Sequence, residues 1–256
     1  MNNTVILFCC HYWSPELGKE FSKLKNSCIN DFDVILSYDC SEDNHMPPDN
    51  LLNHPFTLNQ IKKLGYGFQE NEGILQHTEY QVIDFYLQNP HYDFYWRIDY
   101  DVRYNGEWVD FFRCFIDNKA DLLGTYLKAY KNDPHWLHWH EISFKVDQDS
   151  LRGIFFPVIR FSRRALDCLD QKYRSGVSGF VELIVPTLLN MELLKIEDIG
   201  KRFYNFFTFN YDGIVIKKKG KLNHPVKKRK FISSLRWFIY LLETRRILFK
   251  IRHTLF

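Results

Sequence analysis

An aromatic, β-branched run that stops on two carboxylates constrains this chain more than any other stretch. Phe94-Tyr95-Trp96-Arg97-Ile98 has the composition of a buried strand, and Asp99 and Asp101 follow with Tyr100 between them. A buried strand that ends on acids is costly unless positive charge meets it. Open α/β sheets offer such a place, because ligands bind in the crevice beyond the carboxyl ends of their strands. Side chains i and i+2 share one side of a strand. If the strand runs on through Asp101, both carboxylates reach one Mn²⁺ or Mg²⁺ and leave positions for phosphate oxygens. A turn carrying two solvated acids is the plainer alternative.

The periodicity of the remaining chain fits that class. Strands are expected over 4–10 and 33–38, with Asp39 just beyond the second, and a helix over 21–29. An acidic, Pro-containing loop spans 41–53, and a strand edge runs into a helix over 56–64. A helix is expected over 71–87, with Ile74, Leu75, Thr78, Val82 and Phe85 on one face. After the acidic strand the pattern predicts a helix over 107–118, a strand over 121–127 and a polar-aromatic loop over 131–141. A strand over 153–161, a helix over 163–173, a loop over 176–179 and a helix over 180–194, despite Pro186, come next. Strands over 195–199 and within 205–216 complete the order. The alternation points to an α/β sandwich with a mainly parallel sheet. Neither G-x-G-x-x-G nor G-x-x-x-x-G-K-[ST] occurs, so neither a dinucleotide site nor a P-loop is supported.

The six cysteines form no C-x-x-C pair and several sit in apolar runs, where cysteine acts as a small hydrophobe. A reduced, cytoplasmic setting is expected. The first residues lack a basic lead, and no stretch reaches the roughly 20 apolar residues of a membrane span. Charge is unevenly spread. Residues 217–256 carry 13 Lys/Arg against Glu243, a net of +12, which leaves −9 on the rest of a chain whose total is +3. Within 228–256, Phe231, Leu235, Phe238, Ile239, Leu242 and Phe249 recur at helical spacing among Arg236, Arg245, Arg246, Lys250 and Arg252. This predicts a basic amphipathic C-terminal helix suited to the headgroup plane of an anionic membrane. Packing on the acidic body is the alternative use, and nucleic-acid binding is not expected without a recognised module.

The stretch Asp93-Phe94-Tyr95-Trp96-Arg97-Ile98-Asp99-Tyr100-Asp101-Val102, with Gly106 and Trp108 after it, resembles the D-x-D segment of GT-A-fold glycosyltransferases, most of all bacterial enzymes that build surface polysaccharides. Gly179-Phe180-Val181-Glu182 resembles the acceptor-side helix of such enzymes, which has an acid at its start. Leu222-Asn223-His224-Pro225-Val226-Lys227 resembles their late His segment, which closes on metal and diphosphate. The likeness covers roughly 1–227 and is specific for the superfamily, not for a donor or acceptor. It implies a GT-A-like (Rossmann-like) α/β catalytic domain over 1–227, with the basic helix of 228–256 appended.

The resemblance also implies roles. Asp101 would bind Mn²⁺ or Mg²⁺, Asp99 the metal or the nucleotide's ribose, and His224 would complete the metal site. His11, Tyr12 and Asp39 would hold the nucleobase, and Glu182 would deprotonate the acceptor in an inverting transfer. The implied partners are a nucleotide-sugar, a UDP-sugar first, and a glycan or lipid-linked acceptor at the inner face of the cytoplasmic membrane. His135, His138 and His140 follow no standard zinc spacing. With Trp136, Trp139 and Glu141 they suit a sugar-binding wall better. Two other classes stay open: a metal-dependent phosphoryl-transfer or hydrolase enzyme using the same acids, and a non-catalytic membrane-surface adaptor driven by the tail.

Overall fold

The computed structural model describes residues 3–41, 46–67, 77–206 and 219–226. Thr4–Cys10 (β1) is buried on both faces: Val5, Leu7 and Cys9 enter one core and Ile6, Phe8 and Cys10 another. Period-2 alternation of apolar side chains on both sides is what a central strand of a layered α/β fold requires. Helix α1 (Pro15–Cys28) starts at Ser14, whose hydroxyl accepts from the Leu17 N–H, with Pro15 in its first turn. It buries Leu17, Phe21, Leu24 and Cys28 and leads to β2 (Asp33–Asp39). Then follow β3 (His54–Phe56), α2 (Leu58–Lys63), α3 (Glu79–Gln88) and β4 (Phe94–Asp99).

The two-residue strand β5 (Arg103–Tyr104) and helix α4 (Trp108–Arg113) come next, then β6 (Leu122–Ala129) and β7 (Arg152–Ser162). Helices α5 (Arg163–Arg174) and α6 (Val181–Met191) precede β8 (Ile196–Asp198), β9 (Tyr204–Phe206) and β10 (Leu222–Asn223). The large sheet has the order β3-β2-β1-β4-β7-β6-β8. It is mostly parallel, with β7 running antiparallel to both β4 and β6. Helices cover both faces. A second sheet, β5-β10-β9, stands beyond the end of β4. Strand order reverses direction at β1 and β4, so the crevice outside their carboxyl ends is the ligand position of such a sheet.

Three expectations need correction. The strand of the acidic pair ends at Asp99, and Tyr100 and Asp101 form a turn closed by Val102 N–H to Asp99 O. Strand alternation therefore does not place Asp101. The helix expected over 71–87 begins at Glu79; residues 71–76 lie outside the described ones, and α3 is buried nearly all round rather than on one face. The helix expected over 107–118 stops at Arg113. The turns after it are held by the buried Arg160 guanidinium, which donates to the carbonyls of Phe115, Asn118 and Ala120. The basic amphipathic helix of 228–256 and most of the strand placed within 205–216 fall outside the described residues. Among the described residues, no helix is long and apolar enough to cross a membrane.

Candidate active site

Beyond the carboxyl ends of β1 and β4 lies a cavity of about 290 Å³. Asp99, Asp101, Glu182, His224, His11 and Asp39 all reach its wall. Five separate parts of the chain supply them, and each has its own anchor.

Asp101 and His224 are brought together by the small sheet. β5 begins two residues after Asp101 and β10 ends just before His224. They pair antiparallel, with Asn223 opposite Arg103 and Leu222 opposite Tyr104. Extending that ladder outward brings residue 224 towards residues 101 and 102. The Val226 N–H donates to the Asp101 carbonyl at 2.8 Å and closes the approach. His224 Nε2 then lies 3.1 Å from Asp101 Oδ1. One donor atom from each of Asp99, Asp101 and His224 lies within 4.8 Å of the others. Among the described residues this is the one group of three such side chains that could hold a metal. Two carboxylates and an imidazole make an oxygen-rich donor set with one nitrogen, which suits Mn²⁺ and tolerates Mg²⁺.

The positive charge that the buried acids need comes in part from their own strand. Arg97 points to the same side as Asp99, two residues on, and its guanidinium lies 2.5 Å from Asp99 Oδ1. It also donates to the Phe156 carbonyl at 3.4 Å. Burial raises the Asp99 carboxyl above its ordinary value, against the pull of Arg97 and with a further push from Asp101. Sequence reading missed Arg97 as a site residue, although the same i, i+2 rule applied to Asp99 points at it.

Glu182 sits in the first turn of α6. Gly179 pairs with Ile142 in an isolated antiparallel bridge, and Phe180 N–H donates to Glu141 O at 2.8 Å. These bonds fix where the helix starts. Glu182 accepts from the Phe156 N–H at 3.3 Å. A helix start favours the charge of a carboxylate, yet burial dominates and pushes the Glu182 carboxyl up to about 7, with Asp99 adding to the rise.

The expected nucleobase residues divide. His11 and Asp39 line the cavity, and Asp39 also accepts from the Ser41 N–H at 2.9 Å. Tyr12 is not on the wall; it packs edge-on against Tyr100, with ring centroids 5.0 Å apart, and against His11. The His135–His140 stretch gathers no metal donors among the described residues. His138 pairs with Glu141, and Trp139 is buried against Trp136. Its link to the site is mechanical, since the His138 ring packs tilted against Phe180, centroids 4.4 Å apart, and Phe180 lines the cavity. Thr78 and Gln81, at and just inside the start of α3, also reach the wall. No motif in the sequence marks them.

No protein-family model matches the chain, and no curated protein matches it in sequence. Among solved structures, the chain is similar to a glycosyltransferase involved in glycosylation of the major capsid of PBCV-1, at 14% identity and a TM-score of 0.36. That match covers 67% of this chain and 65% of the other, so the chain spans a little under two thirds of its length. It is also similar to the galactosyltransferase LgtC in complex with donor and acceptor sugar analogues, at 10% identity and a TM-score of 0.44, over 78% of this chain and 74% of that one. HddC from Yersinia pseudotuberculosis, complexed with GMP-PN, matches at 14% identity and a TM-score of 0.33, over 65% of this chain and 79% of that one.

Proposed function

We propose that the chain is a metal-dependent glycosyltransferase. It moves a sugar from a nucleotide-sugar, a UDP-sugar first, to a glycan or lipid-linked saccharide. The observation that carries this reading is the convergence on one cavity of an Asp99–Asp101–His224 donor group and a carboxyl, Glu182, poised by burial near neutrality. Asp101 and His224 would hold Mn²⁺ or Mg²⁺, with Asp99 sharing its carboxylate between the ion and Arg97. When bound, the ion offsets the charge that develops on the departing diphosphate. Glu182 takes the proton of the acceptor hydroxyl as that oxygen bonds to the anomeric carbon and the sugar–phosphate bond breaks, which is an inverting transfer. His11 and Asp39 hold the nucleobase, an imidazole face for stacking and a carboxylate to accept an N–H, with Tyr12 buttressing His11.

The catalytic body is residues 1–227. The basic segment of 228–256 places it on the inner face of the cytoplasmic membrane, where lipid-linked acceptors occur. A phosphoryl-transfer enzyme using two metals would need further carboxylates beside the first group. The described residues gather only one such group.

Asp101→Ala tests the proposal. It is expected to abolish sugar transfer and the Mn²⁺-dependent rise in unfolding temperature with UDP, while the protein still unfolds cooperatively. Wild-type transfer by Asp101→Ala would sink the metal-dependent reading.

A further inference from the structure

The cavity wall holds N–H groups that no acceptor meets among the described residues. Gln81, in the first turn of α3, is 5% exposed, and its Nε2 meets no acceptor among the described residues. Arg97 is 3% exposed. Its terminal nitrogens serve Asp99 and the Phe156 carbonyl, and its Nε meets no acceptor among the described residues. Both side chains line the cavity. A buried donor without an acceptor is costly, so two on one wall point to a ligand that brings the oxygens.

We propose that Gln81 Nε2 and Arg97 Nε grip hydroxyl groups of the sugar being transferred, which makes the α3 wall the specificity site for the donor sugar. The proposal rests on the glycosyltransferase reading of the cavity. The diphosphate is the other oxygen-rich part of a nucleotide-sugar. It is anionic, however, and the amide of Gln81 is neutral, while the charge of Arg97 is already met by Asp99. A neutral amide beside a guanidinium whose charge is already paired matches uncharged hydroxyls. A hydroxyl both donates and accepts, so it also satisfies the amide in its reversed orientation.

The test measures dissociation constants by calorimetry in the presence of Mn²⁺. The ligands are the tightest-binding member of a panel of UDP- and GDP-linked hexoses, its monodeoxy analogues, and the matching nucleoside diphosphate. Gln81→Met, which removes the amide at nearly constant length, is expected to weaken the nucleotide-sugar about 10- to 100-fold and the diphosphate less than about twofold. One monodeoxy analogue is expected to bind wild type and variant alike. Gln81→Leu, which also removes the donors and adds no charge, should repeat the pattern and carries the test if Gln81→Met does not fold. Equal loss on both ligands, no loss on either, or an effect confined to the KM of the acceptor overturns the proposal while the glycosyltransferase reading stands. Failure of wild type to bind any nucleotide-sugar or diphosphate overturns that reading, and this one with it.

Discussion

Burial raises the carboxyls of two glutamates, with different consequences. For Glu182 the raised value, about 7, makes the carboxyl a base able to take a proton near neutral pH. Only the ionised form can do so, hence kcat/KM should rise with pH and flatten above the carboxyl's value. A dication on Asp99 and Asp101 opposes the push from Asp99, so the limb should fall at or below about 7. Glu182→Gln is expected to cost about 10²- to 10⁴-fold in kcat and to erase the limb. A variant that keeps the limb in its pH–rate profile assigns the base elsewhere. Glu79 lies away from the cavity wall, fully buried beneath the hydroxyl of Tyr173, which donates to its Oε1 at 2.7 Å. Burial lifts it from 4.5 to about 8. The folded state thus holds the proton more tightly than the unfolded one. Its contribution is fully present below about pH 4.5 and is lost as pH rises towards 8, by at most roughly 1.4 kcal/mol per pH unit. Glu79→Gln should remove that decline, leaving the variant more stable than wild type at pH 8 in urea titrations. A wild-type curve that stays flat between pH 5 and 8 would contradict this account of the buried acid.

At the scale of elements, the site depends on two short contacts that carry no sequence period. The strands of the large sheet were legible because β1, β2, β4 and β7 are mostly apolar strands of six residues or more, long enough to show their burial. The acidic pair was legible from where β4 stops. The ladder between β5 and β10 was not, since two residues on each side show no alternation and 117 residues separate Tyr104 from Leu222. That ladder nevertheless brings His224 to Asp101, which only the family resemblance had suggested. Arg97 was hidden because a charged residue inside a strand reads as an exception to the pattern rather than as a partner for the acid beyond it. The second contact is at Gly179. A Cβ there would lie 2.6 Å from the Glu141 carbonyl oxygen, closer than such atoms approach. Gly179→Ala must push the start of α6 away from the 141–143 segment. The expected result is a loss of about 1–3 kcal/mol in stability and a fall in kcat larger than the change in donor KM, because Glu182 moves and the Asp101–His224 contact does not. Stability curves and steady-state kinetics on one preparation check both; unchanged kcat would show that the position of Glu182 does not depend on this crossing.

For the whole molecule, sheet order and charge distribution face different partners. The change of direction at β1 and β4 opens one crevice, and every residue assigned to the donor reaches it or packs behind it. The acidic excess of the body would repel an anionic nucleotide-sugar and an anionic membrane alike. A bound cation would meet that repulsion inside the cavity, where Arg97 is already paired with Asp99. Outside it, the +12 on residues 217–256 is the one large positive region of the sequence. Each Lys or Arg near an anionic surface contributes about 1 kcal/mol, and apolar residues at helical spacing add insertion into the headgroup boundary. Replacing Arg236, Arg245 and Arg246 together by Gln should therefore weaken binding of the full chain to phosphatidylserine-containing vesicles about a hundredfold. Binding to neutral phosphatidylcholine vesicles should stay weak for both proteins, and transfer to a soluble acceptor should be unchanged. Co-sedimentation and a soluble-acceptor assay read these separately. Loss of transfer to the soluble acceptor would instead assign the basic segment to the body, neutralising its acidic surface. Equal binding of wild type and variant to anionic vesicles would remove the tail from membrane attachment.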